Sequence, residues 1–533
     1  MKRLWLAVLC VGSLLIVGCG KGNFSEQQKA ASNGNIFRYP IVTSPTKLDP
    51  AMVQDGDTLD ALQQVYEGLV VWSEDNKPVP CLADSWDISP DGKVYTFHLH
   101  KGVKFHNGRE MVADDFKYAI ERSSNPKLAS PTAEDYLKDI VGVMDKLHGK
   151  ATEVKGVQVI DKYTVKVTLD APHAYFLGKL TYLVAAPVPK ECFPPDKEVD
   201  KVENCVGTGP FKMTQYVPDQ LLTMTAFKDY HGGAPLIDGI ERPVIKDATT
   251  RLNKFKAGEV DLVQLERGDV KGVREDPKLK DQLKLFDRPA IWYVAFNLKM
   301  VPQFADKKVR QALSYAVDRD RIVNEVLGGV NTPANGILPP GVLAHRDKTA
   351  ILGYDVAKAK QLLAEAGYPD GKGFPQLEMW FREQRPDIQF VAEAVAADLK
   401  KNLNIDVKLK TLEWGSYLAK NNAKEIPFFH MRWSADYLDP QNFLSLLLTT
   451  DGNENKTFYS NPQVDALCAK ADSSLDEKER ITLYAQAEDL ILQDAAWIPV
   501  YFQRDAELIS PRVSGLRESL FGHLPHTTVK LKP

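Results

Sequence analysis

Few stretches of this chain hold residues spaced for chemistry, and the most suggestive runs His430-Met-Arg-Trp-Ser-Ala-Asp-Tyr-Leu-Asp-Pro-Gln-Asn-Phe443. A single acid there, Asp436, stands between Trp433 and Tyr437. A carboxylate held among aromatic surfaces can receive an ammonium group with water excluded, and charge-assisted hydrogen bonds are then stronger than in bulk solvent. The same acid could instead cap a strand-to-helix turn, a common use of Asp. Local sequence leaves both roles open.

Other patterns offer less. Ser44-Pro-Thr-Lys47 and Ser124-Asn-Pro-Lys127 fit S-x-x-K, a nucleophile pattern, but S-D-N and K-T-G are missing, as are G-x-S-x-G and H-E-x-x-H. A serine hydrolase is therefore a remote alternative, and no catalytic residue is assigned. His98 and His100 sit at strand spacing without a third ligand nearby, and there is no Cys-x-x-Cys, so spacing points to no metal and no cofactor. Val206-Gly-Thr-Gly-Pro-Phe211 matches neither phosphate-binding glycine pattern, and its proline removes a backbone donor. A chain crossover is the better reading.

The elements that must position these residues follow from periodicity. Ile426 to Trp433 is apolar and aromatic enough for a buried strand, and Asp439-Pro440 starts a helix leading into Phe443-Leu444 and Leu446-Leu447-Leu448. Hairpins are predicted about Asp91-Gly92, with Tyr95, Phe97 and Leu99 on one face, and about Asp161-Lys162, with Val165, Val167 and Leu169. Ala113 to Arg122 reads as a helix. From Asp306 onward helices alternate with strands: Val309, Leu313, Ala316 and Val317 share one helical face, and Ile388, Val391, Val395 and Leu399 another. Ile405, Val407 and Leu409 then alternate as a strand, and Ala496 to Phe502 is a further strand. Repeated helix then strand argues for an α/β lobe.

At 533 residues the chain is too long for one core and predicts two or three lobes. With 44% hydrophobic and 26% charged residues it has an ordinary globular composition. Its formal charge of −4 gives no support to nucleic-acid binding, which needs concentrated basic surface. Lys2-Arg3, an apolar run from Leu4 to Val17 and Gly18-Cys19 form an export signal over residues 1–18, too short to favour a spanning helix. The arrangement resembles a bacterial lipobox, which implies cleavage before Cys19 and lipidation of its thiol. Residues 19–35 then read as a flexible tether. In an oxidising compartment Cys192 and Cys205, which bracket a short polar loop, are expected to pair; Cys81 and Cys468 are expected as buried free thiols.

Several blocks taken together resemble the family-5 extracellular solute-binding proteins, the peptide-binding receptors of ABC importers. They are Leu48-Asp-Pro-Ala51, Tyr66-Glu-Gly-Leu-Val70, Leu82-Ala-Asp-Ser-Trp86, Val206 to Phe211, Val309-Arg-Gln-Ala-Leu-Ser-Tyr-Ala-Val-Asp318, Glu413-Trp414, Trp433 to Pro440 and Asp494-Ala-Ala-Trp-Ile-Pro499, in family order. The resemblance implies an α/β, two-lobed, periplasmic-binding-protein-like (type II, Venus-flytrap) fold with an additional α+β subdomain. By analogy lobe I would be 36–60, 206–290 and 505–533, the extra subdomain 61–205, and lobe II 291–504. It further implies a non-enzymatic, monomeric receptor at the outer face of the envelope or in the periplasm, lipid-anchored, which hands peptides to a membrane permease and its ATPase.

The resemblance also implies site roles. The acid of Trp-x-Ala-Asp-Tyr, here Asp436, would pair with a peptide's free amino terminus. Trp433, Ser434 and Thr43-Ser44 would bond its backbone by β-augmentation. Arg385, with Arg382 as rival, would take the carboxylate. Trp414 and Tyr136 would wall the pocket beside Tyr437. Relatives with the same fold carry nickel chelates, haem, oligosaccharides or murein peptides, so another cargo is the alternative.

Overall fold

The computed structural model describes residues 35–383 and 386–532. The export leader, Cys19 and the tether up to residue 34 lie outside the described residues, as does Arg385.

Three sheets organise the body. The first has the order Ile36–Arg38, Gly239–Pro243, Leu221–Ala226, Phe211–Val217, its first pair parallel and the rest antiparallel. The second is an antiparallel set, Ala83–Ile88, Val94–Leu99, Thr164–Thr168, Val157–Asp161, which contains both predicted hairpins. Tyr95, Phe97, Val165 and Val167 all face its core, as period-two alternation requires. The helix Ala113–Ser123 packs nearby with Phe116, Ala119 and Ile120 buried.

The third sheet has seven strands: Leu262–Gln264, Trp497–Ile509, Leu283–Phe296, Phe428–Ser434, Leu377–Arg382 and Val407–Leu412, with Thr332–Pro333 paired off Trp497–Ile509. Both faces are covered. Trp292, Val294 and Phe296 enter one core with helix residues Val309, Leu313, Val391 and Val395. Ile291, Tyr293 and Ala295, the alternate residues, enter the other with Tyr484, Ala487 and Ile491. The fold is thus two-lobed and mixed α/β. The long strands Leu283–Phe296 and Trp497–Ile509 slip register between Asp287 and Ile291, so boundaries at 290/291 and 504/505 fall inside continuous strands.

The glycines of Val206 to Phe211 serve close packing. A Cβ at Gly207 would lie 2.0 Å from the Val65 carbonyl oxygen, and Gly209 donates its N–H to that same oxygen at 2.9 Å.

The cysteines depart from expectation, because Cys192 and Cys205 are both free. The Cys205 thiol is buried and directed at the Lys201 carbonyl, 3.5 Å away, while Cys192 lies beside Asn107. The loop between them is closed instead by a buried ion pair. Arg122 holds Asp49 and also bonds the carbonyls of Pro194 and Lys197, and Asp49 accepts the Val199 N–H at 2.9 Å. Cys468 is buried, but Cys81 is only half-buried and faces a cavity.

Candidate functional site

A cavity of about 800 Å³ opens among these parts, near the upper end of the range usual for small-ligand sites (about 300–1,000 Å³). Phe428–Ser434 supplies one wall as it leaves the large sheet: His430, Met431, Arg432, Trp433 and Ser434, then Asp436. Tyr136 and Tyr182 face it from the region of the second sheet. Helix Gly56–Leu62 contributes Leu59 and Asp60.

Asp436 is held by backbone geometry set one turn later. Asp439 caps the short helix Pro440–Asn442, accepting the Gln441 N–H at 3.0 Å. This turns Asn442, fully buried, back toward the strand end. Its Oδ1 accepts the Trp433 indole N–H at 2.9 Å and the Asp436 N–H at 3.1 Å, and its amide N–H reaches Asp436 Oδ2 at 3.3 Å. Asn442 therefore fixes both the indole and the carboxylate. Sequence reading passed over it, although it follows directly from the Asp-Pro helix start.

Among the described residues Asp436 has no ion-pair partner. Its side chain is wetted by the cavity while protein atoms crowd around it. That partial loss of hydration pushes the carboxyl up to about 6; the Asn442 and Tyr136 hydrogen bonds oppose the rise, and the acids Asp135 and Glu454 add to it. Tyr136 in turn stacks on Tyr182 with ring centroids 3.9 Å apart. Asp439, three residues on, is the opposite case: it is gripped by Arg480 at 2.7 and 2.8 Å. One acid is structural and the other is left with capacity for a donor.

A second part of the wall is cationic and aromatic. Arg382, at the end of Leu377–Arg382, places its guanidinium over the Trp414 ring at 4.7 Å, and Trp414 stacks on Tyr417. Tyr417 is buried and donates its hydroxyl to the His430 carbonyl at 3.0 Å. His430 is buried beside Trp292, and desolvation lowers its imidazole to about 3, so it is neutral at any physiological pH.

A third part was not anticipated. Glu67, Cys81, Tyr230 and His231 line the same cavity. Glu67 is buried and accepts from the Tyr230 hydroxyl at 2.6 Å and from His231 Nε2 at 3.0 Å, with the Cys81 thiol at 3.5 Å. Burial and the Glu67 carboxylate push the Cys81 thiol well up, so it keeps its proton there.

Of the residues named from sequence, Asp436, Trp433, Ser434, Arg382, Trp414 and Tyr136 come together in the cavity wall. Tyr437 does not. Asp436 and Tyr437 lie in a bend beyond the strand end, and there the Tyr437 ring turns into the body while Asp436 faces the cavity. There it stacks on Tyr175, lies under Lys179 and donates to Gln441. Thr43 and Ser44 also stand outside the cavity wall. Thr43 donates to Asp57, and Ser44 Oγ accepts the Asp219 N–H while Lys47 pairs with Glu198 at 2.8 Å, so Ser44 and Lys47 form no nucleophile pair. His98 and His100 each pair with a carboxylate, Asp87 and Asp84.

Fold and cavity together define a solute-binding receptor, and the wider comparison agrees. The model of the bacterial extracellular solute-binding proteins, family 5 (Middle), matches residues 77–455, and the chain belongs to that family. It is 33% identical to heme-binding protein A of Haemophilus influenzae, with 98% of each chain covered. It is 32% identical to the periplasmic oligopeptide-binding protein OppA of Escherichia coli over 96% of this chain and 94% of the relative. Among solved structures, the Escherichia coli murein tripeptide binding protein MppA superposes with a TM-score of 0.76 at 28% identity, over 93% of this chain and 98% of that one. The protein is a binding protein and not an enzyme, of a family that works outside the cytoplasm with ABC transporters. Among the described residues no helix is long and apolar enough to cross a membrane.

Proposed function

We propose that this chain is a substrate-binding lipoprotein that captures peptides by their free amino terminus between two closing lobes and delivers them to an ABC permease and its ATPase. One observation carries the reading: a carboxylate in the cavity wall, oriented by Asn442 and lacking an ion-pair partner among the described residues. A peptide ammonium would supply the missing donors and keep Asp436 ionised. The backbone of Trp433 and Ser434, at the end of a strand, would pair with the extended ligand. Arg382 or Arg385 would take the far carboxylate, with Trp414 and Tyr136 as walls.

Closure would bend the chain where Leu283–Phe296 and Trp497–Ile509 slip register, bringing 291–504 toward the remainder of the body. Ligand shifts the lobes only through contacts made better in the closed state, so a site drawn from separate regions is what such a mechanism requires. Cys19 would carry the lipid anchor, leaving the body as a tethered monomer.

The test is calorimetric titration of wild type and Asp436→Asn with matched peptides, free and N-acetylated. The variant is expected to lose tens-fold or more for the free amine, as when one side of a buried charge pair is removed (about 2–5 kcal/mol), and little for the acetylated peptide. Equal loss for both removes the role given to Asp436. Native mass spectrometry of material purified without refolding reads the cargo directly, and a co-purified haem or oligosaccharide would replace peptide in this reading.

A further inference from the structure

The Glu67 part of the cavity joins three donors of different chemistry. Glu67 and Cys81 are brought face to face by a hairpin: Val70–Trp72 pairs antiparallel with Pro78–Pro80, and the ladder continues through the Cys81 N–H to the Leu69 carbonyl and the Leu82 N–H to the Gly68 carbonyl. His231 arrives from the turn after Leu221–Ala226, where Gly233 donates to the Tyr230 carbonyl at 3.0 Å. One carboxylate oxygen, the thiol sulfur and one imidazole nitrogen then lie within 4.8 Å of one another. We propose that Glu67, Cys81 and His231 form a site for a divalent cation of the zinc class, with an open coordination position facing the ligand cavity.

Four features support it. Three mixed N, O and S ligands with a fourth position open are the pattern of zinc sites that accept an exogenous group. Charge balances: the cation displaces the Cys81 proton to solvent, and M²⁺ with one carboxylate and one thiolate is neutral, which a partly buried place tolerates. A supporting hydrogen bond exists already, because the Tyr230 hydroxyl orients the Glu67 carboxylate at 2.6 Å. Lastly, no lysine or arginine among the described residues lies within ion-pair distance of Glu67. The other such cluster among the described residues, Glu507, Glu518 and His523, differs here: Arg288 stands 3.7 Å from Glu507 and 3.2 Å from Glu518 and already supplies its positive charge. The present contacts of 3.0 to 3.5 Å are proton-mediated, and coordination would draw the donors to about 2.0–2.3 Å from the ion.

The experiment uses the full chain, treated with chelator and reductant and free of peptide, so it is independent of the peptide reading. Titration with Co²⁺ is expected to give one equivalent bound with a thiolate-to-cobalt charge-transfer band, displaced by Zn²⁺. Cys81→Ser should abolish the band, Tyr230→Phe should weaken Zn²⁺ by about 10–100-fold, and Cys468→Ser should change neither. X-ray absorption of the zinc-loaded wild type should show one sulfur and the rest N or O donors, a readout that needs no variant to fold. A charge-transfer band that persists in Cys81→Ser, a zinc shell without sulfur, or folded wild type showing no such band overturns the site.

Discussion

Asp436 and Glu67 are carboxylates of one cavity wall with opposite surroundings. Glu67 is filled: a phenol, an imidazole and a thiol already point at it. Asp436 has one side-chain amide at 3.3 Å and the Tyr136 hydroxyl, and its carboxyl is raised to about 6. The difference teaches that a shortage of donors, more than the presence of charge, marks where a cationic ligand group is received. A saturated acid gains little from an ammonium, whereas an under-supplied one gains nearly the whole interaction.

The strongest way to break this comparison is to neutralise each acid separately. Asp436→Asn should lose about 2–5 kcal/mol of affinity for free-amine peptides and none of its folding stability. Glu67→Gln should leave amine affinity near wild type and cost about 1–3 kcal/mol of stability in urea denaturation, because an NH2 donor replaces one of the two oxygens that accept from Tyr230, His231 and Cys81. If the two variants cost the same amine affinity, the distinction fails. Next in size, Asn442→Ala strands the Trp433 indole N–H and frees Asp436. About 1–3 kcal/mol of stability should go, with affinity for free amines falling alongside.

Acidification gives a smaller and more specific effect. A peptide ammonium needs Asp436 ionised, and the ligand-free carboxyl takes its proton near pH 6, so affinity should decline by about tenfold per pH unit as pH falls below that value. N-acetylated peptides should show no such slope in calorimetry from pH 7 to 5. Folding has the opposite sign: a raised acid pKa means the unliganded protein holds this proton more tightly than the unfolded chain, so stability contributed here rises as pH falls from about 6 toward the ordinary carboxylate range. Smallest of all, reductant should leave the melting temperature unchanged. A closed Cys192–Cys205 bridge would instead be worth about 2–4 kcal/mol.

The alternating strands and amphipathic helices were legible because burial of one face imposes a period: Tyr95, Phe97, Val165 and Val391 lie where that period puts them. Asp436 with Trp433 was legible for another reason, as strand end, loop and Asp-Pro helix start are adjacent in the chain. Tyr437 of that same segment stands outside the cavity wall, since adjacency does not say which of two neighbours faces the cavity. Cys192 and Cys205 were misjudged because loop length permits a bridge, while the buried Arg122–Asp49 pair, contributed from outside the loop, decides how that loop folds.

The sequence by itself determined the α/β alternation, from residues close together in the chain, and the family, from blocks spread in order between Leu48 and Pro499; it offered Asp436 as a candidate without fixing its role. Tertiary structure alone decided that Tyr182 stands in the wall with Asp436, and that Glu67, Cys81 and His231 share one part of that wall. Those groups meet only after three sheets have packed, and the side-chain geometry of contacts between distant segments leaves no period or spacing in the chain to read.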